Sequence, residues 1–233
     1  MRTLIAASQV EWWHLRWQEC IDKSLRLLRL GRLVEDLFAE ARGHVTSINA
    51  MGTIGEREAA SQHFAPLLDL TERLRNNNLS DTALTSITNI YRHEGNWQAA
   101  RANCDRGFEM GRQTSTLLAT RVMMEYETGD FGQGGVYLGR LLELMHAVPP
   151  GANWEHGYPA MVIPVVARIT GEIDRLETAQ AAAETVLSSS TATPHISWWA
   201  RKGLGLIAVL RSGVRAAEEQ YGYLKMMTGV ISR

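Results

Sequence analysis

The side chains best placed to do chemistry are two Glu-x-x-His sequences, Glu11–His14 and Glu143–His146. On bundle helices two such pairs, joined by two further carboxylates, hold a di-iron centre. Here they fall in the first and fourth of the helix pairs read below, too far apart to converge, so no metal site is expected. The chain has no His-Glu-x-x-His and no phosphate-cradling Gly-x-x-x-x-Gly-Lys-Ser/Thr. Its serines, histidines and acids form no nucleophile motif, and the seven histidines are scattered singly. Cys20 and Cys104 cannot make a disulfide framework; each falls on the inner face of a predicted helix, where free cysteine behaves as a small hydrophobe. These residues point to a non-enzymatic protein without cofactor or metal, in a reducing cytoplasm.

Charge excludes further classes. Lys plus Arg number 24 and Asp plus Glu 25, a formal net charge of -1 without the basic footprint of a nucleic-acid binder. Lys23, Arg26, Arg29 and Arg32 recur every third residue as a basic strip, read as a solvated helix face. No apolar run approaches the ~18 residues of a membrane span. The start Met1–Ala7 is broken by Ser8, Gln9 and Glu11, too soon for a signal peptide. Neither nucleic acid nor membrane is expected as a partner.

The elements that must position these side chains are marked by one phrase repeated with variations. Gly95-Asn96-Trp97-Gln98-Ala99-Ala100 is the clearest copy: a turn glycine, then an aromatic, then small residues opening an amphipathic helix. Related phrases begin at Leu15, Gly55, Gly129, Gly171 and Gly213. Their third positions, 17, 57, 97, 131, 173 and 215, are spaced by 40, 40, 34, 42 and 42 residues. A period of this size signals stacked helical pairs that bury a core only against their neighbours. The predicted pairs are 2–14 with 16–30, 33–51 with 56–75, 81–94 with 97–111, 115–128 with 131–147, 158–170 with 174–187, and 195–211 with 214–227. A narrow turn is expected near Gly31, an interruption at Pro66, and an N-cap at Ser80 or Asp81. The punctuated loop beginning Pro149-Pro150-Gly151 suggests a hinge near 148–157. Residues 228–233 are expected to fray, and 1–233 to form a single array.

Residues 81–112 resemble a tetratricopeptide repeat. Leu84, Ile87, Tyr91, Gly95, Ala100 and Gly107 take that family's large, aromatic, turn and small positions, and Gly55, Ala60 and Phe64 do so in the second pair. The departures are spacings near 40, against about 34 in the family, and the missing closing proline. Phe64–Leu74 and Ala216–Tyr221 further resemble the helical arms of large bacterial signal-transduction and transcription regulators, which carry an ATPase switch and an output domain. The resemblance implies an all-α, right-handed superhelical solenoid of about six antiparallel pairs.

It also implies a concave groove lined by the first helix of each pair. Family groove positions carry onto Arg42 and Asn49, and onto Thr85, Asn89 and Arg92. Asn offers donor and acceptor to a peptide backbone, and Arg a forked donor to a carboxylate. Trp13, Met123, Tyr126, Tyr158 and Met161 would extend the groove with adaptable apolar surface. The expected partner is a peptide, a protein, a small effector or other domains of a larger regulator. Two alternatives stand beside this reading. Trp12-Trp13 and Trp198-Trp199 could support self-association as a homodimer, or Pro149–Tyr158 could serve as the lid of a small-molecule site.

Overall fold

The computed structural model describes residues 1–111 and 114–220, and every regular element among them is a helix. In chain order these are α1 (Arg2–Trp13), α2 (Trp17–Leu33), α3 (Leu37–Ile54), α4 (Arg57–Ser61), α5 (Phe64–Leu74), α6 (Asn77–His93), α7 (Trp97–Glu109), α8 (Ser115–Glu127), α9 (Phe131–Ala147), α10 (Trp154–Thr170), α11 (Leu176–Ser188) and α12 (Pro194–Gln220). None is long and apolar enough to cross a membrane.

Left-handed residues follow most of the helices. The first residue of all six sequence phrases has positive φ: Leu15 (61°), Gly55 (88°), Gly95 (74°), Gly129 (85°), Gly171 (79°) and Gly213 (81°). Glu35, Arg75 and Gly111 share this conformation, so the left-handed positions 15, 35, 55, 75 and 95 lie 20 residues apart. The forty-residue period is therefore two helix-and-turn units, of which the phrase marks every second. Glycine enters this region freely, and Leu15, Glu35 and Arg75 do so at a steric cost. Directly after several of these turns an Asp or Asn restarts the chain. Asp36 accepts from Ala39 N–H (3.0 Å), Asn76 from Leu79 (3.0 Å), Asn96 from Ala99 (3.3 Å) and Asp130 from Gln133 (3.1 Å), each satisfying an orphan helix donor.

Several boundaries differ from the sequence expectation. The first inter-pair turn lies at Glu35 rather than near Gly31. Gly31 is buried inside α2, where a Cβ would stand 2.7 Å from the Glu40 nitrogen, so its role is close helix approach. The cap of α6 is Asn76, not Ser80 or Asp81. The interruption attributed to Pro66 falls at Gln62–His63, between α4 and α5. This leaves Pro66 in the first turn of α5, where a missing N–H costs nothing. α10 begins at Trp154 on the Asn153 cap, so the segment 148–157 shortens to 148–153 and Trp154–Tyr158 is helix, not lid. The second helix of the sixth pair follows the break at Gly213 (φ 81°, ψ 170°); its remainder, 221–227, and the tail 228–233 lie outside the described residues.

The chain divides into two compact units, the first Met1–Thr120 and the second beginning at Arg121. In the first, α1 packs on α2 and α3, α3 on α2, α5 and α6, and α6 on α7. Ile48, Leu67 and Ile87 centre its core. Phe64 and Tyr91 meet edge to face at 5.5 Å, filling the gap between the second and third pairs. Cys20, Ala100, Cys104 and Gly107 are buried; a Cβ on Gly107 would collide with Leu117. In the second unit α10 packs against α9, α11 and α12, around Ala160, Ala183, Val186 and Ala200.

Candidate interaction face

Helices α1, α3 and α6 lie side by side in the first unit, since α3 packs on both others. Arg42 and Asn49 are two turns apart on α3, and Asn89 and Arg92 share the corresponding face of α6. All four are half-buried. Asn49 and Asn89 each stand six residues before a left-handed glycine, Gly55 or Gly95, and Gln9 stands six before Leu15. Gln9 is the residue that sequence reasoning missed; the spacing to the turn was the available signal.

These three amides occupy the same place in successive pairs and meet different fates. Gln9 Oε1 accepts from Arg42 Nη2 at 2.8 Å, tying α1 to α3. Asn89 Oδ1 accepts from Thr120 Oγ1 at 3.3 Å, tying α6 to α8. The Asn49 side chain makes no hydrogen bond among the described residues. A carboxamide brings two donors and an acceptor, so this middle position keeps its full capacity free. Burial lowers the pKa of Arg42, whose guanidinium nevertheless remains a cation. Arg92 Nη2 reaches His93 Nε2 at 2.9 Å; because a guanidinium only donates, this ring nitrogen is the acceptor.

The remaining candidates lie elsewhere. Thr85 is 6% exposed and belongs to the core rather than a groove, forty residues after the equally buried Val45. Its Oγ1 has no hydrogen-bond partner among the described residues. Other hydroxyls of α6 return to the backbone four residues back: Thr82 to Asn78, Ser86 to Thr82 and Thr88 to Leu84. Met123 and Tyr126 are also buried, correcting their assignment as groove surface. Tyr126 stacks on Phe131 (5.6 Å) and covers Gly134, leaving no room for a Cβ there. Trp13 is exposed on α1, and Met161 is half-buried on α10. Tyr158 packs against Trp154 (5.0 Å) and Trp199 (5.4 Å). Lys202 sits 4.2 Å over the Trp198 ring, so these aromatics have partners within the chain.

Ion pairs divide the basic strip. Lys23, with Arg16, holds the buried carboxylate of Glu11, keeping its pKa below the ordinary range. Arg32 pairs with Glu40 at 2.6 Å. Glu11 thus spends its oxygens on cations, and among the described residues no three His, Cys, Asp or Glu side chains converge as metal ligands. A separate buried contact joins His44 to His63, Nδ1 to Nδ1 at 2.8 Å, with Arg32 Nη2 3.4 Å from His44 Nε2. Since Arg32 can only donate, His44 carries its proton on Nδ1 and donates to His63. Burial, then the neighbouring His63 and Arg32, push the His44 pKa down to about 3.

The chain matches no protein-family model, no curated protein and no solved structure.

Proposed function

We propose that this chain is a right-handed, tetratricopeptide-like solenoid of about six helix pairs that acts as a non-enzymatic interaction scaffold or regulatory sensor arm. In this reading it holds an extended peptide or peptide-like segment of a partner along the row formed by α1, α3 and α6. Three features support it. Left-handed turns recur every 20 residues through the first unit, as a helix-pair array requires. First helices of successive pairs pack on one another. The observation that carries the functional part is Asn49: its equivalents Gln9 and Asn89 are tied to α3 and α8, while its own amide makes no hydrogen bond among the described residues.

A free amide flanked by half-buried Arg42 and Arg92 suits a ligand with regularly spaced carbonyl and N–H groups, which an extended backbone provides. The test is to screen the full chain against an array of random nonapeptides and measure the strongest binders by fluorescence anisotropy. Asn49→Ala should weaken them by about tenfold, the loss of one or two partly buried hydrogen bonds, with unchanged circular dichroism. Binders indifferent to Asn49→Ala and Asn89→Ala alike would place recognition elsewhere.

A further inference from the structure

The second unit holds a site of a different chemical kind. An open cleft of about 420 Å³ lies between the end of α9, the start of α10 and one face of α11. Its apolar walls include Met145, Val148, Pro150 and Ala182, and its polar side chains are His146, His156, Thr178 and Thr185. No Asp, Glu, Lys or Arg lines it, in a chain that is 21% charged. A charged ligand would therefore find no counter-ion among the lining side chains.

His156 gives the cleft its direction. The residue is 7% exposed, and its backbone N–H donates to Asn153 Oδ1 at 3.1 Å. His156 Nδ1 lies 2.8 Å from that same oxygen, while Asn153 Nδ2 donates to the Pro149 carbonyl at 3.1 Å. The amide orientation is thus fixed at both ends, and its oxygen can only accept. Nδ1 must carry the proton. Nε2 is left with a lone pair and no hydrogen bond among the described residues. Burial lowers the His156 pKa; Glu155 opposes this and His146 adds to it, with the net favouring the neutral ring. Thr178 and Thr185, two turns apart on α11, offer hydroxyls that make no hydrogen bond among the described residues.

We propose that this cleft binds a neutral, mainly apolar small molecule that donates a hydrogen bond to His156 Nε2. Its volume falls within the range of small-molecule sites, as does the pattern of apolar walls with a few fixed polar groups. The cap that starts α10 also sets the tautomer that reads the ligand, so one asparagine serves fold and recognition together.

The test uses the full chain labelled with 15N-histidine and observed by long-range proton–nitrogen NMR, with phenol, anisole and benzoate as probes. His156 should be protonated at Nδ1 and not at Nε2. Phenol should shift the Nε2 resonance saturably. Anisole, whose ether oxygen carries no donor, should bind about tenfold more weakly, the loss of one hydrogen bond. Benzoate should not compete. Ala181→Phe, at an exposed lining position, should abolish the phenol response while leaving the tautomer unchanged. A proton on Nε2, equal responses to phenol and anisole, or preference for benzoate would each overturn the assignment. So would Zn2+ shifting His146 and His156 together at micromolar concentration in place of any phenol response.

Discussion

Replacing Thr85 with valine should make this protein more stable. Thr85 is 6% exposed and its Oγ1 has no partner among the described residues, so folding strips the hydroxyl of water and returns nothing. That desolvation costs about 1–3 kcal/mol. Valine has the same branched shape and is likewise stiff at χ1, so packing changes little while the penalty is removed. The expected gain is about 1–2 kcal/mol, read as a higher urea midpoint at constant slope and a melting temperature raised by about 3–6 °C. Thr88→Val is the control. Thr88 is fully buried but donates to Leu84 O at 2.7 Å, so that change should instead cost about 0.5–1.5 kcal/mol. If Thr85→Val were neutral or destabilising, the hydroxyl would have a partner, such as an ordered water, and its reading as an uncompensated polar group would be wrong.

Acid should weaken both units well above the range where carboxylates titrate. His44, with a pKa near 3, and His195, near 4, are held neutral chiefly by burial, against about 6.5 unfolded. A depressed histidine pKa gives stability that is complete above the unfolded value and lost as pH falls toward the folded one. Each should therefore cost about 2 kcal/mol between pH 7 and pH 5, measured by urea unfolding at both; a flat response would contradict the buried placement. Gly203→Ala should cost about 3 kcal/mol, because a Cβ there would run into the Ala160 carbonyl where α12 crosses α10; thermal unfolding unchanged from wild type would argue against that crossing. Arg75→Gly should stabilise by about 0.5–1 kcal/mol, since Arg75 holds φ 48°, a conformation glycine adopts without the Cβ clash; a lower urea midpoint would contradict the left-handed cap.

The turns were legible in the sequence because their chemistry is local. A left-handed turn residue, glycine in five of the six phrases, has the same signature wherever it sits, and all six phrases begin at such a position. Gly31 misled because a glycine needed for close approach of α2 and α3 looks like a turn glycine until the neighbouring helix is known. Asn76 was hidden among three asparagines, any of which breaks a helix while only one caps the next. Candidate site residues divided by the same logic. Spacing identifies which residues share a helix face, as with Arg42 and Asn49. It does not say whether that face meets solvent or another helix, which is why Thr85, Met123 and Tyr126 lie in the core. Contacts that join distant segments, such as His44 with His63 or Gln9 with Arg42, leave no periodic trace.

The central claim, that the row formed by α1, α3 and α6 receives a peptide, is tested most directly by NMR mapping with the strongest peptide from the array. The side-chain amide resonances of Asn49, Asn89 and Gln9 should shift together as the peptide saturates, with Asn49 moving most because it alone gains its first partner. Shifts confined to the indole resonances of Trp154, Trp198 and Trp199, with Asn49 unmoved, would contradict it.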